Sequence, residues 1–120
     1  MANPNIVNVT TIYGNTAVLA VGTSMANVVQ NASSSNYLYK INTLFVTNAN
    51  TGAIAVTLEL NQAGTNTALA KTVNVPPNSV IVLLAKDTGL YLLENTSLQL
   101  SAGSASSITA ICSYEQISSA

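Results

Sequence analysis

Hydrophobic and polar residues alternate most regularly over the segment "AIAVTLEL", residues Ala53–Leu60. A period of two is the signature of a strand with one buried face, so this segment predicts a half-buried strand. Residues Thr67–Val75, "TALAKTVNV", follow the polar loop "NQAGTN" and are predicted to return antiparallel as its hairpin partner. The residues predicted to face the core are Ile54, Val56, Leu58 and Leu60.

Short segments rich in β-branched and aromatic residues recur along the rest of the chain, separated by turn-forming residues. The segments Asn5–Tyr13 and Thr16–Val21 flank a predicted turn at Gly14 and Asn15. Residues 90–94, "LYLLE", fit either a short strand or a single helical turn. The other predicted strands are Asn5–Tyr13, Thr16–Val21, Asn27–Gln30, Tyr37–Thr47 and residues 80–85, 97–102 and 106–117.

No segment keeps a helical period between capping residues, so little or no helix is expected. Seven to nine short antiparallel strands are typical of a two-sheet sandwich. The sequence therefore predicts an all-β fold, a jelly-roll-like antiparallel β-sandwich, in one domain over residues 1–120. Residues 1–15 are expected to form either an extended N-terminal arm or an edge strand.

The segment "VIVLLA", residues 80–85, is aliphatic on both of its faces. Such a strand is expected where something covers each face, which predicts a central position in its sheet. Pro76 and Pro77 precede it and cannot donate ladder hydrogen bonds, so they predict a turn.

Charged residues make up only 6% of the 120 residues, against about 25% in an average soluble domain. The net charge is −1 and arginine is absent, so there is no basic surface to hold a phosphate backbone, and nucleic-acid binding is not expected. The first residues lack a cationic region and a long apolar run, which predicts no secretory signal. Residues 80–85 are far shorter than the ~20 residues of a membrane helix, so no membrane association is expected.

Candidate chemistry is sparse. Histidine is absent, which removes the commonest general base and metal ligand, and no metal or cofactor is expected. Cys112 fits a small buried hydrophobic residue better than a thiolate nucleophile, because no cationic neighbour lies nearby in sequence. Glu59 with Glu94 is the one carboxylate pair considered for hydrolysis, although solvated surface acids are expected. The protein is therefore predicted not to be an enzyme.

Lys71 falls on the same alternation phase as Leu69, Val73 and Val75. Three explanations are open. A bulge could redirect the side chain, its stem could follow apolar surface to the sheet edge, or it could form an ion pair at a subunit boundary.

The predicted outward positions are mostly Ala, Thr, Asn and Ser, which cost little to desolvate when their polar groups find partners. Such a surface is suited to being covered by other subunits. Tyr37, Tyr39 and Phe45 are predicted to share one strand face, either as an interface anchor or as core packing. The predicted contact elements are the Asn5–Tyr13 arm and the Tyr37–Phe45 strand. The candidate interface residues are Ile6, Val7, Val9, Ile12, Tyr13, Tyr37, Tyr39 and Phe45.

Three stretches carry a resemblance to a known group: "MANPNIVNVTTIYGNTAVLAV" at the start, "VPPNSVIVLLAKDTGLYLLENTSLQL" from Val75 to Leu100, and "ITAICSYEQIS" near the end. They resemble small virion structural proteins of tailed bacteriophages, particularly of marine and cyanobacterial hosts. Asn95 and Thr96 stand where such relatives often have a Gly-Asp pair. The resemblance implies no catalytic residues. It implies a β-sandwich that decorates or cements a capsid, or else sits in the tail. We predict a homotrimeric capsid decoration (cement) protein, made in the host cytoplasm and bound to the major capsid protein on the virion.

Two other classes of function are open. One is a tail, baseplate or fibre component of the same kind of virion. The other is a small ligand-binding or ice-binding β module, for which a regular ladder of threonines would be the signature. Threonines here are scattered along the chain rather than laddered.

Overall fold

The computed structural model describes residues 9–85, 87, 90–105 and 107–119. Strands dominate this part of the chain, and it contains no helix long and apolar enough to cross a membrane. The segment "LYLLE" contributes a short strand rather than a helical turn. The described residues form nine strands: β1 (Val9–Val21), β2 (Ala26–Asn31), β3 (Tyr37–Asn48), β4 (Ile54–Gln62), β5 (Thr65–Val75), β6 (Ser79–Leu84), β7 (Leu90–Leu92), β8 (Thr96–Ala102) and β9 (Ile108–Ser119).

The strands form two antiparallel sheets. The five-stranded sheet has the order β1-β9-β3-β6, with β7 also paired to β3, and the four-stranded sheet has the order β2-β8-β4-β5. The pairs are nested along the chain: β4 with β5, β3 with β6 and β7, β2 with β8, and β1 with β9. This nesting is the topology of a jelly roll, which confirms the predicted fold class.

The core lies between the two sheets. Inward residues alternate along most strands. Of the predicted set, Ile54, Val56 and Leu58 are buried, and Leu60 is partly buried against the core. Leu98 and Leu100 of β8 are fully buried as well, as their alternation predicts. The inward face of β9 supplies small and branched residues that complete the layer, namely Ile108, Ala110 and Cys112.

Two buried asparagines connect the sheets. Asn48 at the end of β3 donates through Nδ2 to the carbonyl oxygens of Gly52 and Val75, each at 3.0 Å, and its Oδ1 accepts from the Asn50 N–H. Asn31 of β2 donates to the carbonyl oxygens of Tyr37 and Leu92, each at 2.9 Å. Both side chains are almost completely buried, and the bonds from Asn48 to Val75 and from Asn31 to Leu92 are buried as well, so water cannot replace these two.

The predicted turn at Gly14 and Asn15 is wrong. β1 runs through this dipeptide without a break, with Gly14 opposite Glu115 and Asn15 opposite Tyr114. A Gly-Asn pair makes a hairpin turn when its flanking strands pair with each other. Here both flanking segments pair with β9 instead, so the backbone stays extended.

The prediction that Tyr37, Tyr39 and Phe45 share one face is also wrong. The β3–β9 register shifts between Ile41 and Thr43, which places a bulge in the middle of β3. Ile41 and Leu44 are both buried although they are three residues apart, because the extra residue reverses the alternation. Phe45 therefore points away from the core, on the face opposite to the two tyrosines.

Residues 80–85 do not form a central strand. β6 lies at the edge of the five-stranded sheet, and one of its faces has no covering layer within the described structure. Val80 and Val82 are 53% and 57% exposed on that face. The aliphatic pattern indicated a strand correctly, but the described residues do not cover both of its faces.

A β-bulge redirects the side chain of Lys71, which is one of the three explanations that the sequence left open. Val56 pairs with Val73 and Leu58 pairs with Ala70, so two residues of β5 lie opposite one residue of β4. Lys71 is exposed at this point. The next residue of the bulge, Thr72, adopts a φ of 48° and donates its backbone N–H to Thr57 Oγ1 at 3.1 Å.

The β4–β5 hairpin has a two-residue loop, Ala63 and Gly64, with φ values of 52° and 90°. Two positive φ angles are typical of a type I′ turn, for which Asn-Gly is the favoured pair. Replacing Ala63 with asparagine is expected to raise the free energy of unfolding by about 0.5–1 kcal/mol, since alanine tolerates this conformation poorly. Urea denaturation measures the change. Ala53→Asn, at an exposed alanine without positive φ, is the control, and an equal gain there would contradict the turn argument.

Candidate assembly surface

The face of the five-stranded sheet that points away from the core is here called the outer face. Residues directly opposite one another in neighbouring strands lie on the same face, so the register defines its rows. One row crosses four strands and is entirely apolar, and is called the apolar row. Its members are Val18 of β1, Ile111 of β9, Phe45 of β3 and Val82 of β6.

The two ends of the apolar row are the most accessible. Val18 is 67% exposed on β1, and Val82 is exposed on β6, whereas Ile111 and Phe45 between them are half-buried. The next row towards the end of the sheet is also uncharged and consists of Ala20, Thr109, Thr47 and Val80. A shallow open depression borders this second row and is lined by Thr47, Asn48, Ala49, Asn78, Ser79 and Val80.

Charge on the outer face is confined to one pair among the described residues. Lys40 and Glu115 lie opposite each other, with Nζ and Oε1 3.9 Å apart and both side chains 36% exposed. An exposed pair of this kind contributes about 0–1 kcal/mol. The pair is separated from the apolar row, so a partner can cover the apolar row without desolvating an ion.

The opposite end of the outer face carries a second aliphatic row, Ile12, Ile117 and Leu38. Leu38 and Ile117 are buried, while Ile12 at the sheet edge is 53% exposed. Of the predicted interface residues, Ile12 and Phe45 therefore lie on the outer face. The Lys40 and Glu115 pair stands between their rows, next to Tyr91 of β7.

The other predicted interface residues lie elsewhere. Tyr37 and Tyr39 follow the inward phase of β3, where their rings are 6.4 Å apart. Tyr13 follows the inward phase of β1 but is exposed, so the second sheet does not cover this part of β1. Val9 begins β1, and Ile6 and Val7 lie outside the described residues.

Tyr39 also packs against Tyr114 of β9, with ring centroids 5.1 Å apart, and both rings border the core. Burial raises the pKa of Tyr39, and the nearby phenols of Tyr114 and Tyr37 raise it further. Burial is also the main cause of the raised pKa of Tyr114, followed by the neighbouring Cys112. These shifts reflect packing rather than a charged partner, which is typical of supporting side chains.

Burial raises the pKa of the Cys112 thiol from 9.0 to about 12. The unfolded chain then loses this proton at lower pH than the folded chain does. Stability is therefore fully present below about pH 9 and falls as the pH rises towards 12, by up to about 1.4 kcal/mol per pH unit. Urea denaturation between pH 8 and 11 measures this loss. Cys112→Ala is expected to show a shallower fall, and identical slopes in both proteins would contradict the assignment.

The acidic residues do not form a recognisable reaction centre. Glu59 lies on β4, whereas Glu94 lies in the turn after β7 and accepts a hydrogen bond from the Asn36 N–H at 2.6 Å. Within the described part of the chain, no group of three or more His, Cys, Asp or Glu residues could hold a metal ion.

Sequence reasoning missed Val18, Val80 and Val82 as surface residues. Their aliphatic character was visible, but it indicated burial inside the chain's own fold. Only the strand order places β1 and β6 at the two edges of one sheet.

No known protein-family profile matches the chain, and no curated protein matches it. The chain resembles a solved structure, which is described by the words "Bacillus endospore appendages form a novel family of disulfide-linked pili". The two chains superpose with a TM-score of 0.53 over 92% of this chain and 90% of the other, at 16% sequence identity. The likeness is one of fold. It extends over nearly the full length of both chains.

Proposed function

We propose that this protein is a non-enzymatic structural subunit that binds the head shell of a tailed bacteriophage as a capsid decoration protein. The observation that carries the proposal is the uncharged, apolar row that crosses the outer face and is exposed at both ends. The resemblance of the sequence to phage virion proteins supplies the partner, the major capsid protein. Contact through a flat sheet face would let one subunit cover the boundary between neighbouring coat subunits.

One such contact is weak, which favours an arrangement in which many subunits bind side by side. Complete burial of a valine contributes about 1.5–3 kcal/mol, and Val18, Val80 and Val82 are each already partly buried. Association costs about 4–15 kcal/mol, so a few half-exposed valines do not sustain a tight single contact. Many subunits that bind neighbouring positions on a shell gain affinity together. The added buried area would resist expansion of the shell.

A tail or fibre component is the second candidate, favoured by the full-length fold likeness to a pilus chain. That structure is described as disulfide-linked. Here Cys112, the only cysteine of the chain, is fully buried, so a filament of these subunits would be held by non-covalent contacts. Its extended strands would supply them.

Adding the purified protein to expanded phage heads that lack it tests the proposal. Co-sedimentation with the heads and extra cryo-EM density at regular positions between coat subunits are the expected results. Density on the tail of intact virions, with no binding to heads, would support the second candidate and overturn the first. Binding to neither structure would contradict both.

A further inference from the structure

We infer that β1 is an assembly edge, which joins two copies of this chain antiparallel about a two-fold axis that passes beside Asn15. This inference goes beyond the proposed function, because it concerns how copies join rather than what the outer face covers. It follows from a comparison of the sheet edges and from the register that β1 imposes on its own copy.

A sheet edge offers unpaired backbone groups to any passing strand, and natural proteins interrupt such edges with short strands, bulges or charges. Three of the four sheet edges formed by the described residues are interrupted. β2 has six residues and a register shift between Asn27 and Val29. β5 carries the bulge with the exposed Lys71. The remaining interrupted edge is split between β6 and β7, which pair with different parts of β3.

β1 has none of these features over most of its length. It contains thirteen residues, "VTTIYGNTAVLAV", with no charge and no proline. Its register with β9 is unbroken from Thr11 to Val21, and its other edge has no strand neighbour among the described residues. A long, neutral and continuous edge of this kind is a template for pairing.

A second copy of β1 is the strand that fits this edge. A two-fold axis places β1 opposite its own copy, and because β1 carries no charge, the contact buries no ionised side chain of either strand. The edge-facing backbone groups belong to every second residue of an antiparallel strand. When β1 pairs with its own copy, odd-numbered residues therefore lie opposite odd-numbered residues and even-numbered opposite even-numbered ones. The side chains of each such pair lie on the same face.

The exposed side chains set the register, because Ile12 lies opposite Val18 of the other copy when Asn15 lies at the axis. The regular segment from Thr11 to Leu19 is then paired with its own copy. Ile12 and Val18 are the two most exposed aliphatic side chains that β1 presents on the outer face, at 53% and 67%. Each covers the other, and the two outer faces become one continuous surface of a ten-stranded sheet.

Pairing of β1 with a different edge of the next copy would give a ring, such as the expected trimer, or a filament. β6 and β7 offer six and three residues and pair with separate parts of β3. A thirteen-residue strand would be only partly paired there. β5 has eleven residues, but its bulge interrupts pairing. The two-fold arrangement pairs nine consecutive residues of each copy, Thr11 to Leu19.

Charged residues introduced at positions 12 and 18 test the register in which β1 pairs with its copy. Ile12→Glu with Val18→Glu opposes two acids at each of two symmetric positions and is expected to raise the dimer dissociation constant about a hundred-fold. Ile12→Glu with Val18→Lys opposes an acid and a base, and is expected to restore most of the affinity. Residues 12 and 18 lie about 20 Å apart within one strand, so this rescue cannot arise inside one chain. Leu69→Glu, on the other sheet, is the control and leaves the dimer intact.

Light scattering measures the masses, with about twice 12.3 kDa expected for the wild type. A second measurement uses Asn15→Cys, which is expected to form a disulfide between copies because the two residues meet at the axis. Val18→Cys is its control and forms none, and the buried Cys112 does not take part. A wild-type monomer or trimer, an absent rescue, or equal crosslinking by both cysteines would overturn the inference.

The outcomes for this inference and for the proposed function are separable. A monomer that binds heads contradicts the β1 pair and leaves the decoration role standing. A dimer that binds no head contradicts the decoration role and leaves the β1 pair standing.

Discussion

Val82→Asp is expected to leave the fold intact and to weaken binding to phage heads by a factor of about a hundred or more. Val82 is exposed on β6 in the isolated chain, so a carboxylate there remains hydrated and costs little stability. If the apolar row is covered by coat protein, the same carboxylate loses its water without gaining a partner. No lysine lies on β6 to compensate it. Co-sedimentation with heads at several protein concentrations measures the change.

Leu69→Asp is the matched control for this experiment. Leu69 is 40% exposed on β5, in the other sheet, and an acid there adds the same charge to the protein. It is expected to leave head binding unchanged. Equal losses in both variants would mean that added negative charge acts non-specifically, and normal binding by Val82→Asp would remove the apolar row from the contact.

Asn48→Leu is expected to lower the free energy of unfolding by about 3 kcal/mol or more. The leucine fills a similar space but leaves the carbonyl oxygens of Gly52 and Val75 and the N–H of Asn50 without their present partner. Each buried group that loses its hydrogen bond costs about 1–3 kcal/mol. Because Asn48 connects the end of β3 to the end of β5, its loss weakens contact between the two sheets.

Urea denaturation of Asn48→Leu and of Asn74→Leu gives the comparison. Asn74 is exposed on β5, so the same substitution there is expected to change stability by less than about 0.5 kcal/mol. If both variants lose the same small amount, the hydrogen bonds of Asn48 do not stabilise the junction between the sheets.

The periodicity of the chain was sufficient to predict the strands whose alternation is regular. The segment around Ile54, Val56 and Leu58 forms a strand with those residues inward, as the period of two requires. The bulge at Lys71 was visible as a charged residue on an apolar phase. In β3 no charge marked the break, because the residue at the bulge is Asn42, a polar residue on a phase that was not assigned to the core. The face of Phe45 was therefore predicted wrongly.

The candidate surface was harder to predict, for a reason of topology. An apolar strand such as β6 has the same sequence pattern whether its second face meets another layer or another molecule. Which of the two applies depends on strand order, and strand order depends on pairing between distant segments. Ile12 was named as part of the predicted Asn5–Tyr13 arm and Phe45 through a predicted face that is wrong, while Val80 and Val82 were assigned to the interior.

The nested pairing of the strands has a consequence for how the chain reaches this structure. β4 and β5 are close in sequence and can meet first, whereas β1 and β9 close a loop that contains all the other described strands. We expect β1 to dock last and to leave first, since non-local pairs form slowly. In a concentrated refolding mixture its free end would meet the β9 strand of a neighbouring molecule as readily as its own, so slow refolding at low concentration is expected to give the most uniform product.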